Sequence, residues 1–430
     1  MADQTKKTLR NMLMYQVFVR NYSKEGTFEA VRRDLDRIRD LGVDIVYLLP
    51  IHPVGEKCRK GTLGSPYAIS DYRAVNPEYG TLEDFKALTD AIHEKGMKCI
   101  IDVVYNHTSP DSVLAAEHPE WFYRKEDGSF GNHVGDWSDI IDLDYTKEGL
   151  AEYQIETLKY WAGMVDGFRC DVAPFLPSAF GEKARREVAE VNPDCLWLSE
   201  SVEPAFIQNM RDIGLNVLSD SEIFRAFDVC YDYDIFEYMT GYLRGENSLA
   251  YYAEAVNRQE TIYPDNYVKL RCLENHDQAR IRSLVPDEKG LRSLTAFSFF
   301  QKGMAFVYAG QEYGATHRPS LFDKDTVRME AEGGCDLTGL IRRLASIKKD
   351  PLFTDSTYRV WTSGDEILTA CHSRNGAAVV GVFSLKGKMS PAYMPLPNGY
   401  YENLIDGKTV EVYNEHVTCF GEPIILKKEN

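Results

Sequence analysis

GFRCDVAPF, residues 167–175, closes an apolar run and sets Arg169 and Asp171 two positions apart. In an extended strand such side chains share a face, so the guanidinium can hold the carboxylate as an anion. A structural salt bridge is spelled the same way, and a single pair is more often structural than catalytic. The deciding question is whether similar runs elsewhere end on similar groups. Seven further runs are rich in β-branched and aromatic residues: MLMYQVFV (12–19), DIVYLLP (44–50), KCIIDVVY (98–105), CLWLSE (195–200), LNVLSD (215–220), YVKLRCLEN (267–275) and MAFVYAG (304–310). VDGFRCDV (165–172) makes the eighth. Helical patterns lie between them, as in FEAVRRDLDRIRDLG, where Val31, Leu35, Ile38 and Leu41 fall on one face and Gly42 ends the helix. The alternation predicts βα units around a parallel sheet, and eight of them predict an α/β fold closed as a (β/α)8 TIM barrel. An open doubly wound sheet is the alternative. It commonly shows a Gly-rich nucleotide turn after its first strand, and NYSKEGTF is not one.

From about Pro351 the pattern changes to short alternating strands, TYRVWTS, EILTACHS, AAVVGVFSL, YYENLID, KTVEVY and EPIILKK, separated by Gly, Asn and Asp turns. The expected organisation is a catalytic barrel over 1–350 and a C-terminal antiparallel β-sandwich domain over 351–430. A short excursion after strand three, 107–145, has little periodicity, and loops at the C-terminal ends of barrel strands build the site. The composition agrees: 430 residues, 44% hydrophobic, can bury a large core in more than one domain. With 66 acidic and 49 basic residues the formal charge is −17, which repels phosphate backbones and anionic lipid, so no nucleic acid and no membrane are expected as partners. No segment approaches a membrane span, and MADQTKKTLRNMLMYQVFVR lacks an apolar stretch before a small-residue cleavage site. The nine cysteines form no CxxC or Cys/His cluster, and Cys99, Cys170 and Cys272 lie in apolar runs. The expectation is a soluble, cytoplasmic protein; nothing in the sequence sets its oligomeric state.

The strand ends do carry related chemistry. Strand three closes on Asp102, Asn106 and His107, strand four on Arg169 and Asp171, strand five on Glu200, and strand seven on Asn275, His276 and Asp277. Four carboxylates meeting at one rim repel each other, and burial adds to the effect, so at least one pKa should rise and supply a general acid. A proton donor, an arginine-held anion and a third acid are the equipment for glycoside hydrolysis.

DVVYNHTS (102–109), GFRCDVAPF (167–175), LWLSESVE (196–203) and LENHDQAR (273–280) resemble, in order and spacing, the four signature regions of the α-amylase family, glycoside hydrolase family 13. GSPYAISDY (64–72) and the trailing β domain extend the resemblance over nearly the whole chain. The resemblance implies a retaining hydrolase of α-glucosidic, mainly α-1,4, bonds in maltooligosaccharides or short α-glucans. It makes Asp171 the nucleophile, Glu200 the acid/base and Asp277 the transition-state stabiliser. Around them it implies a sugar-binding set: Arg169 keeping Asp171 ionised, His107 and His276 bonding the sugar, Tyr67 as platform, Asp102 in support, and Asn275 either binding or structural. Each residue also has a blander reading: an isolated His is usually a surface or core group, and Tyr67 is one of 26 tyrosines.

Departures from the family bear on substrate. The Lys-His pair of endo-acting amylases is replaced by Pro174 and Phe175, and the acidic residue that closes the pocket of small-substrate α-glucosidases is replaced by Gly64. The expected cleft is therefore open or modestly walled. Asn106 matches a calcium-binding asparagine, but the accompanying histidine is replaced at Phe175 and no DxDxDG loop occurs, so neither a metal nor another cofactor is predicted. Gln311 and Glu312 are expected in rim structure, and His317 and Arg318 either reach the substrate or lie in a solvated loop. The alternative activity is transglycosylation, by a glucanotransferase or a sucrose- or trehalose-active enzyme, since both outcomes share the covalent intermediate. A non-catalytic relative with a decayed site would have lost one of the acids, and all three are present.

Overall fold

Parallel pairing joins eight strands of the computed structural model into a closed barrel, in the order β1-β10-β9-β8-β7-β6-β3-β2. These are β1 (Leu13–Val17), β2 (Ile45–Leu48), β3 (Lys98–Val103), β6 (Gly167–Cys170), β7 (Leu196–Ser199), β8 (Val229–Tyr231), β9 (Val268–Arg271) and β10 (Met304–Tyr308). β4 (His107–Thr108) and β5 (Ile141–Asp142) form a small antiparallel pair inside the excursion. The structure describes residues 4–135 and 137–429; residues 1–3, part of the stretch read for a leader, and 136, within the excursion, lie outside the described residues with 430.

Barrel strands are buried on both faces, which is why they read as continuous apolar runs. Gly167 opens β6 because the neighbouring strand passes so close: a Cβ there would lie 2.3 Å from the Leu196 carbonyl oxygen. The helix before β3, Leu82–Glu94, starts at a capping box in which Thr81 and Asp84 satisfy each other's backbone N–H groups.

Two expectations need correction. FEAVRRDLDRIRDLG forms two helices, Phe28–Arg33 and Leu35–Asp40, parted at Asp34, whose ψ is 4°. The sixth barrel strand is Val229–Tyr231, and the LNVLSD run is a connector that enters a short helix at Asp220. Val217 and Leu218 are buried there as loop residues, with Leu218 N donating to Pro174 O. The true strand has only three residues between Asp228 and Asp232, so its charged flanks conceal it.

After the helix Thr338–Ile347 the chain builds β11 (Thr357–Ser363), β12 (Ile367–Arg374), β13 (Ala377–Phe383), β14 (Met389–Tyr393), β15 (Gly399–Glu402), β16 (Thr409–Val412), β17 (His416–Phe420) and β18 (Ile424–Lys428). The antiparallel sheet β11-β12-β13-β18 faces the ribbons β14-β17 and β15-β16 across Ile367, Val380, Val382, Met394, Val417 and Leu426. Its other side meets the barrel, where Phe383 packs on Phe297 and Phe300 at 5.3 Å and His372 Nε2 bonds Phe300 O at 2.9 Å.

Candidate active site

At the C-terminal rim one guanidinium organises three acids. Arg169 Nη1 donates to both oxygens of Asp102, at 2.9 and 3.0 Å, and to Asp171 Oδ1 at 2.8 Å, while Nη2 lies 2.6 Å from Glu200 Oε1. Arg169 and Asp102 are fully buried, and Asp171 and Glu200 keep about a tenth of their side-chain surface, 9% and 11%. Tyr47 OH holds the second oxygen of Asp102 at 2.6 Å, which fixes the carboxylate that fixes the arginine.

Glu200 has a second anchor that sequence reading missed. Its Oε2 accepts from Val172 N at 2.8 Å, and Val172 has φ +36° and ψ +43°, the left-handed region that a β-branched residue rarely enters. Such strain persists where the surroundings enforce it and clusters at functional sites. No sequence signal marks it, because nothing in a valine announces a positive φ.

His276 links the third acid to the frame. Its Nε2 lies 2.9 Å from Asp277 Oδ2 and 2.6 Å from Tyr67 OH, and Gln16 Nε2 meets its Nδ1 at 3.1 Å. With Gln16 donating to Nδ1, the proton sits on Nε2 and a relay runs from His276 through Tyr67 OH to Asp102 Oδ2 at 3.1 Å. His107 stands 3.9 Å from Asp171 Oδ2; burial brings its pKa down to about 4, so it is a neutral imidazole.

The carboxyl groups are driven apart electrically. Burial raises Glu200 to about 8, against the pull of Arg169, and neighbouring Asp171 adds to the rise. Burial raises Asp171 only to about 6, because Arg169 opposes it directly. Asp277 is lowered: burial pushes it up but is outweighed by His276, Arg169 and Arg318.

These groups open into a hollow of about 290 Å³ lined by Tyr67, His107, Asp171, Glu200 and Asp277, with Lys60, Trp137, Asp139, Leu321 and Phe322 on its walls. Hollows of about 480, 450 and 310 Å³ elsewhere are larger, but none of them contains the three acids.

A model of the alpha amylase catalytic domain matches residues 13–120 and 115–361, and one of the bacterial alpha amylase C-terminal domain matches 359–426. The chain belongs to the α-amylase family. An α-amylase from Lactobacillus plantarum is similar to it at 48% identity, covering 99% of this chain and 100% of that one with a TM-score of 0.96. A noncanonic maltogenic α-amylase from Thermotoga neapolitana is 32% identical over 98% of this chain and 100% of its own, with a TM-score of 0.88. Among curated proteins, an α-1,4-glucan:maltose-1-phosphate maltosyltransferase of Myxococcus xanthus is 33% identical over 239 residues, 50% of this chain. The match spans only 36% of that longer protein.

Within this α-amylase-family frame, the sugar-binding set divides. Tyr67 and His107 reach the hollow. Arg169, Asp102, His276 and Asn275 stand behind it, buried and bonded to protein partners. Asn275 donates to Tyr233 OH at 2.7 Å and accepts from the N–H groups of Asp277 and Gln278, both at 2.9 Å; it shapes the turn that presents Asp277. His317 pairs with Asp325 inside its own loop at 2.8 Å, whereas Arg318 reaches across to donate to the Asp277 carbonyl. Glu312 is rim structure, buried and accepting from Tyr15 OH at 2.6 Å and Arg37 at 2.8 Å. The Asn106 amide turns to His107 Nδ1 at 3.2 Å, and no group of three or more His, Cys, Asp or Glu among the described residues could hold a metal ion.

Proposed function

We propose that this chain cleaves α-1,4 bonds of maltooligosaccharides or short α-glucans with retention of anomeric configuration. One observation carries the reading: Arg169 holds Asp171 and Glu200 on one guanidinium, yet their pKa values part to about 6 and about 8. Near pH 7 the first is mainly an anion and the second mainly an acid, which is the division of labour that double displacement needs. Asp171 attacks the anomeric carbon as Glu200 gives its proton to the departing glycosidic oxygen. Glu200, now an anion, then takes a proton from an incoming hydroxyl, whose oxygen displaces Asp171 and restores both groups. Asp277, kept ionised, stabilises the cationic ring of the transition states.

Water as acceptor gives hydrolysis, the favoured outcome by likeness to the two amylases; a sugar hydroxyl gives transfer, the outcome named for the maltosyltransferases. Nine free cysteines, eight of them buried, suit a reducing, cytoplasmic setting. No helix among the described residues is long and apolar enough to cross a membrane. Proton NMR during the first minutes of maltoheptaose cleavage should show the α-anomer first. Initial β-anomer would refute the double displacement and the roles of both carboxyl groups.

A further inference from the structure

The hollow is walled on one side by loops that are fastened to each other. The loop after β2 meets the loop after β10 through Leu63 N to Phe322 O, 2.9 Å, and through Thr62, whose N–H and Oγ1 both donate to Asp323 Oδ1 at 2.9 and 2.7 Å. Arg20, almost fully buried, donates to Gly64 O at 2.8 Å and Leu321 O at 3.1 Å, so one guanidinium grips both loops from beneath. Gly61 allows the approach: its φ is +64°, and a Cβ there would lie 2.6 Å from Phe322 Cβ. The excursion joins the same ring, for Lys60 Nζ lies 3.0 Å from Asp139 Oδ1, and Asp111 Oδ2 accepts from the N–H groups of Glu56 and Lys57 at 2.9 and 3.0 Å.

The place of this wall fixes which half of the substrate meets it. β2 and β10 both neighbour β1, and β7, which delivers Glu200, is three strands away from either, on the far side of the barrel. The acid must stand beside the leaving group, so the retained, non-reducing part of the sugar chain points to the opposite rim. There it meets Lys60, Asp139, Leu321 and Phe322. The space of about 290 Å³ is at the small end of the roughly 300–1,000 Å³ typical of small-molecule sites, room for about one or two sugar rings.

Resting on the α-glucan reading above, we infer that the three-loop latch ends the glycone pocket and makes the enzyme exo-acting, releasing short pieces from non-reducing ends. Lys60 and the Thr62–Asp323 clasp set that specificity. The open cleft expected from Gly64 is thus closed by other residues, with Lys60 Nζ placed to donate to a terminal hydroxyl and Phe322 giving an apolar wall.

The test uses p-nitrophenyl maltoheptaoside with and without a 4,6-O-ethylidene group on its non-reducing glucose, with products resolved by chromatography. A closed pocket should cleave the blocked chain about 100-fold more slowly, because a pocket shaped for a free end rejects added bulk. Equal rates would overturn the inference while leaving the α-glucan reading intact, and cleavage of neither chain would overturn that reading and the inference together. Asp323→Ala should narrow the gap by about 10-fold, with Lys60→Ala as the independent variant if the first fails to fold. A folded variant of either kind with the gap unchanged would remove the latch as its cause.

Discussion

The two halves of the barrel rim hold their loops in opposite ways. Around β2 and β10, loops distant in sequence are tied by backbone bonds, a buried arginine and a shared aspartate. Beyond β7, the helix Pro204–Asp212 has no buried residue at all. Its contact with the site is an aromatic chain, Phe206 to Phe175 at 6.0 Å, Phe175 to Trp137 at 6.5 Å, and Trp137 to His107 at 5.7 Å. Few buried contacts mean a low local opening free energy, so this half can adjust while the other keeps its shape. The difference fits a reaction in which the retained sugar is gripped and the departing and arriving partners change.

The sharpest way to test this contrast is to disable, one at a time, the two carboxyl groups that follow the neighbouring strands β6 and β7. Asp171→Asn should lower turnover of every substrate by on the order of 10⁴-fold, because the attacking charge is gone whatever leaves. Near wild-type activity in that variant would end its assignment as nucleophile. Glu200→Gln should slow natural glucans by about 10²- to 10⁴-fold, yet spare the first step for a highly activated aryl leaving group, which needs no proton. A burst of the aryl product is the readout, and equal loss on both substrates would make Glu200 something other than the acid.

The pH profile sharpens the same contrast more gently. Asp171 must be ionised, so kcat/KM should fall below its pKa of about 6; Glu200 must be protonated, so it should fall above about 8. The alkaline limb should vanish with the activated leaving group and the acid limb should remain. Smallest of all, Phe206→Ala should raise KM for maltoheptaose about 3-fold, in line with the roughly 0.5–1.5 kcal/mol of one aromatic contact. An unchanged KM would detach the helix from substrate binding.

The barrel and its acids were legible because periodicity is local and the strand-end motifs are short. The failures share a physical cause, that the deciding contacts lie far away along the chain. β8 is three residues long and shows itself only by pairing with β7 and β9. β14 and β17 escaped because Met389 and Phe420 face solvent and Pro391 interrupts the first of them. The fastening at Lys60 and Thr62 has no local signal, since Asp139 and Asp323 stand about 80 and 260 residues downstream. Asn275 and His276 follow β9, and their burial depends on Tyr233 and Gln16, which no motif links to them.

Val172 joins backbone strain and an aimed N–H at a single peptide unit. Its left-handed backbone costs on the order of 1–3 kcal/mol, and glycine would relieve that strain. It would also forfeit the buried valine side chain and loosen the backbone, and so free the N–H that aims the Glu200 carboxyl group. Retaining valine keeps that N–H stiffly aimed at the acid, with the strain held in place by the surrounding structure.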